Sequence, residues 1–479
     1  MKSTPGAAVL LAACLAIALP ASSQPSQSKA TPVLAGEPGQ RTASPAAVDE
    51  RRYTARQIKA DINAIEAGIA ATHPDLGHSV APARVASALE AVRRRVRDGM
   101  DRDAVWKELS TLNPLFADAH LFVTYADWRG DTKRHLETSG TLFPFEVSVD
   151  ASGHVRIVSE LGGAPTAFAG AKIESINGVP TREVVNQLLA HVHGDSPIFR
   201  ADLLSKRWWF FYWKRHGAPP TFDVALDRAA GEPLRIAGSR VRPAVIAGEE
   251  EFERNFTLEL RPDGVAVMTV RTFSWPDPDA FHAFARHAFE RMRDVGTRTL
   301  LIDVRDNGGG DDGMWLNGLL PYIGDQPYRW ASHYTKRVLK DNPDKQERAG
   351  EVLSGVVETW TSPLTDSPLR FDGKVYVLVG KGTYSSAVLF ANTVQDFGFG
   401  MLVGEGDSVR TTQSGGIQRI ELPNTGLVLL SPRFVLVRPS GQRSPEWLTP
   451  DVALVDDPMD AGAMIRATLA IASSAGPTE

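Results

Sequence analysis

Two short stretches of this chain combine residue types that could handle an acyl group. In Leu301-Ile302-Asp303-Val304-Arg305-Asp306-Asn307-Gly308-Gly309-Gly310 an apolar run ends in asparagine and three glycines. Glycines tolerate positive φ and let successive backbone N–H groups converge on one point, which makes an anion site; the plain alternative is a tight turn. The lysine and Ser/Thr of a phosphate-binding loop are missing, which argues against a nucleotide. In Gly382-Thr383-Tyr384-Ser385-Ser386 a serine stands between the apolar run 375–379 and a helix expected over about 386–396. A hydroxyl there lies near the positive end of the helix dipole, where it is either a nucleophile or only a helix cap. The G-x-S-x-G elbow is absent.

The two stretches together, in this order, resemble the tail-specific (C-terminal processing) serine peptidase family. The resemblance extends to Phe390-Ala391-Asn392-Thr393-Val394-Gln395-Asp396, to Leu402-Val403-Gly404-Glu405, to Ile173-Glu174-Ser175-Ile176-Asn177-Gly178-Val179-Pro180 and to Pro450-Asp451-Val452. It spans most of the chain from Tyr53 to Asp451. The resemblance implies an α/β serine hydrolase with a mixed sheet in a ClpP/crotonase-like peptidase core, and a PDZ-like domain that helps hold a peptide or protein substrate. It places the nucleophile on Ser385 rather than Ser386, and the oxyanion hole on the backbone of Gly309 and Ser386, with Gly308 and Asn307 as secondary candidates.

The general base departs from many members, which use lysine after the Val-Gly-Glu strand. Here Arg410 stands near that position, and a guanidinium does not deprotonate at neutral pH. The branch containing the tricorn protease core and the interphotoreceptor retinoid-binding proteins uses a histidine ahead of the PDZ-like domain. Asp118-Ala119-His120 resembles that segment and makes His120 the candidate base among eleven histidines. In the tricorn core a serine precedes the histidine and a distant glutamate orients the ring. Ala119 stands at the serine's place, Glu446 is the best match for the glutamate, and Asp118 is the local alternative. A carrier protein without catalysis, on the same fold, is the rival reading. The chemistry calls for no metal or organic cofactor.

These residues need elements to position them. Thr54 with Gln57 reads as a capping box, followed by Ile58, Ile62, Ile65 and Ile69 at helical spacing. Val85, Leu89, Val92 and Val96 line a second helix whose Arg93-Arg94-Arg95 run reads as a solvated face, and a third helix is expected over 103–112. Strands are expected over 143–149 and 154–159, then strand, Asn-Gly turn and helix over 170–181. The aromatic block Trp208-Trp209-Phe210-Phe211-Tyr212-Trp213 reads mostly as core. From about residue 253, strands at 256–260, 265–270, 299–304 and 375–379 alternate with helices, the pattern of a mixed sheet covered on both faces. The expected units are a signal peptide (1–23), a disordered leader (24–50), an N-terminal helical segment (51–128), the PDZ-like domain (140–228) and the α/β core (253–470).

A net charge of −5 argues against a non-specific nucleic-acid binder. The single cysteine, Cys14, excludes a disulfide framework and cysteine-based zinc sites. Lys2, the apolar run 7–19 and the small residues Ala21 and Ser23 form an export pattern, too short for a membrane span. A lipid anchor at Cys14 is the less favoured alternative, because the apolar run continues beyond it. The chain is expected outside the cytoplasm, periplasmic or extracellular.

Overall fold

The structure is a computed structural model that describes residues 51–227, 233–364 and 366–474. The expected signal peptide and leader lie outside these residues. Thr54 opens the helix Ala55–Thr72 through a reciprocal capping box with Gln57, as the spacing predicts, and Ile58, Ile62, Ile65 and Ile69 are buried beneath it. The helices Pro82–Arg95 and Arg102–Leu109 follow, the latter extended to Leu112 by a 3₁₀ turn. Arg93 bonds Glu66 and Glu90, and Arg95 bonds Glu108. The basic run therefore ties neighbouring helices together instead of only facing water.

A hairpin joins Phe145–Val149 to Val155–Glu160. Ile173–Ile176 turns through Asn177 and Gly178, both at positive φ, into Val179–Pro180 and the helix Thr181–Leu189. Trp208 to Tyr212 lie buried on the helix Trp208–His216. They share one hydrophobic core with the N-terminal helices. Segments 51–128 and 140–228 are thus packed through common side chains, with Leu422, Leu427 and Leu429 from the far end of the chain joining them.

The second core surrounds a six-stranded sheet ordered Val452–Ala453, Met401–Gly404, Lys374–Val379, Thr299–Asp303, Val265–Val270, Phe256–Leu260. All neighbours are parallel except the last pair, so the sheet is mixed, as the sequence pattern implies. Side chains alternate across it. Leu300 and Ile302 face one helical layer with Phe281 and Phe390, while Leu301 faces Met464 on the helix Ala463–Ser474. Both faces are buried, which explains the continuous apolar runs. No helix among the described residues is long and apolar enough to cross a membrane.

Between Gly404 and Val452 the chain leaves this sheet. Gln413–Gly415 pairs with Phe434–Val437, and Gln418–Glu421 pairs with Leu427–Ser431. Leu427–Ser431 in turn pairs antiparallel with Phe122–Tyr125, with Phe122 opposite Leu430. This excursion joins the two cores. Its turn is held by Asp61, wholly buried in the first helix, which accepts from Asn424 N (2.9 Å) and Nδ2 (2.8 Å) and from Thr425 N (3.0 Å) and Oγ1 (2.6 Å). Removing the carboxylate takes the acceptor from four donors, two of them on the buried Thr425. Asp61→Ala should lower unfolding stability by about 3 kcal/mol, read from urea melts, and Asp61→Asn should cost less.

Candidate active site

The parallel strands Thr299–Asp303 and Lys374–Val379 end side by side, and the loops leaving their carboxyl ends lie together. Thr383 Oγ1 donates to Val304 O at 2.8 Å and Tyr384 N to Asn307 O at 2.9 Å, which locks one loop on the other. Asn307, fully buried, holds the glycine turn by accepting from Gly309 N at 2.9 Å and donating to Val270 O at 3.0 Å. Gly309 has φ +96°, and a Cβ there would meet Ser385 Cβ at 2.7 Å, Tyr384 O at 2.8 Å and Ser386 N at 2.9 Å. Only glycine fits against the serine.

Ser385 caps the helix Ser386–Phe397 with φ 55° and ψ −122°. A side-chain-bearing residue is rarely found there, and the strain aims its hydroxyl out of the turn. Its N–H donates to Gln413 Oε1 at 3.1 Å. Ser386 is different. Its Oγ accepts from Trp315 Nε1 at 2.8 Å and donates to Asp312, whose half-buried carboxyl is pushed up to about 6 by desolvation. Its backbone N–H opens the helix and has no acceptor within it. Of the two expected oxyanion donors, Ser386 N–H is thus available, whereas Gly309 N–H is engaged by Asn307. A Cβ on Gly308 would meet open space.

His120, buried, places Nε2 3.0 Å from Ser385 Oγ. Its Nδ1 lies 2.9 Å from Ser414 Oγ, and Ser414 Oγ donates to Asp118 Oδ1 at 2.8 Å. Asp118 Oδ1 also accepts the His120 backbone N–H at 2.7 Å. The hydrogen-bond roles follow from these partners. An ionised carboxylate only accepts, so the Ser414 hydroxyl gives it its proton and turns a lone pair to Nδ1; Nδ1 therefore carries the ring proton, and Nε2 presents its lone pair to Ser385.

Glu446 does not orient the histidine, contrary to the expectation from the resemblance. Its side chain is 61% exposed and bonds Arg410 Nε at 3.1 Å. Arg410 also donates through Nη1 to Ala117 O at 2.6 Å and stacks over Trp447. It buttresses the loop rather than facing the serine. Asp118, the local candidate, is the carboxylate that reaches the ring, and it does so through Ser414. The missing serine next to His120 is replaced by one that arrives almost 300 positions later in the chain, 294 from His120. Within Gln413-Ser414-Gly415 the sequence carried no signal for it, because only the pairing of Gln413–Gly415 with Phe434–Val437 sets it there.

Burial lowers the pKa of His120 from its ordinary value, more than the Asp118 charge raises it. Burial also works against the Asp118 charge, yet the imidazoles of His73 and His120 and the His120 backbone N–H outweigh it and hold that carboxyl below the usual range. His73 Nε2 stands 3.9 Å from Asp118 Oδ2.

Residues 264–454 match the profile of Peptidase family S41. This segment belongs to that family. The S41 domain makes the protein a serine-type peptidase. Mature CPAF has a similar fold: its crystal structure is 14% identical over 87% of this chain and 95% of that one, with a TM-score of 0.60. Mature CPAF complexed with lactacystin is 13% identical over 88% and 97%, with a TM-score of 0.62. No curated protein matches the chain by sequence.

The geometry separates the two carboxylates by experiment. A neutral His120 ring acting on Ser385 would make kcat/KM rise with pH through an apparent pKa below 6.5. Asp118→Asn removes the charge that raises the ring's pKa, so the apparent value and the rate should both fall. Glu446→Gln should leave the rate within about twofold, as expected of an exposed ion pair.

Proposed function

We propose that this S41 peptidase is exported and hydrolyses peptide bonds through an acyl-enzyme on Ser385, with His120 as general base. The observation that carries this reading is the 3.0 Å contact between His120 Nε2 and Ser385 Oγ, backed by the Ser414–Asp118 pair on the other ring nitrogen. Ser385 Oγ bonds to the peptide carbonyl carbon while its proton passes to Nε2. The resulting imidazolium keeps Nδ1–H on Ser414 and is stabilised by the Asp118 charge behind it. When the C–N bond breaks, Nε2 returns the proton to the leaving amine. Water then loses a proton to the same nitrogen and attacks the ester; the bond from the carbonyl carbon to Ser385 Oγ breaks, and Nε2 returns that proton to Oγ.

The carbonyl oxygen becomes negative in the tetrahedral intermediate and needs donors. Ser386 N–H supplies one. The glycine turn supplies the second, either from Gly309 N–H on exchange of Asn307 for the oxyanion or from Gly308 N–H beside it. One such donor is worth about 100–1,000-fold in rate.

A fluorophosphonate probe and a peptide-turnover assay test this directly. Labelling should fall on Ser385 alone. Ser385→Ala should lower kcat by about 10⁴-fold or more. Ser386→Ala keeps the backbone donor and loses only the bonds to Asp312 and Trp315, so its main cost should be stability, about 1–3 kcal/mol. A folded wild-type protein that neither labels nor turns over would favour the carrier reading.

For localisation, the support is the pattern of Lys2, the apolar run 7–19, and Ala21 with Ser23. The protein recovered from outside the cytoplasm should begin at Gln24 by N-terminal sequencing. A chain still beginning at Met1 would contradict export by cleavage, and a lipid on Cys14 would identify the anchored alternative.

A further inference from the structure

Asp195 lies in the turn between the helices Thr181–Leu189 and Pro197–Lys206, and the reaction steps above make no use of it. It is buried, with 6% of its surface exposed, and both carboxylate oxygens are occupied. Oδ1 accepts from Ala119 N at 3.0 Å and from Tyr384 OH at 3.0 Å; Oδ2 accepts from Arg410 N at 3.1 Å. The three donors belong to three separate segments. Ala119 precedes the base His120, Tyr384 precedes the nucleophile Ser385, and Arg410 opens the stretch whose Ser414 completes the relay. One side chain therefore ties together the segments that carry His120, Ser385 and Ser414.

The Tyr384 contact goes further. Its ring packs against that of His120 with centroids 4.7 Å apart, and its hydroxyl stands 3.4 Å from Nδ1. Because Tyr384 gives its proton to Asp195, the hydroxyl can only accept from the ring. That is the arrangement Asp118 imposes through Ser414. Two carboxylates, each acting through one hydroxyl, thus face the same ring nitrogen. We propose that Asp195 is a positioning residue of the peptidase reaction, which through Tyr384 holds the Nδ1-protonated form of His120 and keeps His120 in register with Ser385 and Ser414. This rests on the Ser385–His120 reading above.

The charged and titratable groups facing Asp195 are Asp118, Arg410, Arg200 and Tyr384. Burial, with the Asp118 charge, pushes the Asp195 carboxyl up to about 6. A proton on Asp195 would confront donors that need an acceptor, so the site should require both an ionised Asp195 and a neutral His120. Below both pKa values log kcat/KM should then fall with a slope of about 2 per pH unit rather than 1.

The test compares Asp195→Asn, Tyr384→Phe and the double variant in the full-length mature protein, by peptide turnover and by the pH dependence of fluorophosphonate labelling. Asp195→Asn should lower kcat by about 10–100-fold with KM within about twofold, and its acid limb should fall to a slope of about 1. Tyr384→Phe should lower kcat by about 10-fold and keep the steeper limb, and the double variant should be no worse than Asp195→Asn alone. Wild-type kcat in Asp195→Asn, or an unchanged acid limb with fully additive losses, would overturn the proposal and leave Asp195 a structural residue. If Asp195→Asn does not fold, Tyr384→Phe decides: folded protein with the wild-type rate would overturn it. Wild-type protein that is not labelled at Ser385 would remove the underlying reading, and this proposal with it.

Discussion

The site depends on where one proton sits. A buried imidazole can act on Ser385 only if Nε2 is bare, and nothing intrinsic to histidine prefers that form strongly enough to fix it. Asp118 fixes it from two bonds away. Its charge obliges Ser414 to donate, Ser414 then obliges Nδ1 to donate, and Nε2 is left as the acceptor 3.0 Å from Ser385 Oγ. The cost is a carboxylate held 2% exposed. The His120 backbone N–H, the Ser414 hydroxyl and the nearby His73 offset that cost and keep it ionised.

Much of the fold follows from the need to bring the members of this chain of bonds together. Ser385 and the glycine turn meet because their parent strands are parallel neighbours whose carboxyl ends coincide. His120 stands where the two cores meet, between Ala119 of the sheet's core and Leu121 of the other, and is carried in just ahead of the strand Phe122–Tyr125. The excursion between Gly404 and Val452 makes the meeting possible: one of its strands presents Ser414, and another pairs with the histidine's own strand. Asp61 and Asp195, two buried carboxylates far apart in sequence from the residues they bind, pin the two ends of that arrangement.

The parts legible in the sequence are those governed by local rules. The capping box at Thr54, the Asn-Gly turn at Asn177 and the alternating α/β pattern after residue 253 each rest on neighbouring residues, and the structure has those elements at those places. The glycine turn and Ser385 stood out because conformational demands leave a local signature: only glycine fits at Gly309, and the serine stands between an apolar strand and a helix. Ser414 and Asp195 left no such signature. A lone serine or aspartate in a polar stretch looks like any surface residue until long-range strand pairing or a helix turn buries it. Glu446 shows the opposite error: its neighbourhood resembles the expected motif, but the pull of Arg410 and the solvent takes its side chain away from the ring.

The most direct measurement of the central claim is a nitrogen-15 NMR titration of the histidine-labelled mature protein, with His120 assigned by comparison with His120→Gln. The resting ring should be protonated on Nδ1 and bare on Nε2, and it should take up its second proton with a pKa below 6.5. Ser414→Ala should shift protons toward Nε2. A resting ring protonated on Nε2 in the wild-type protein, or one that stays cationic above pH 6.5, would contradict the account.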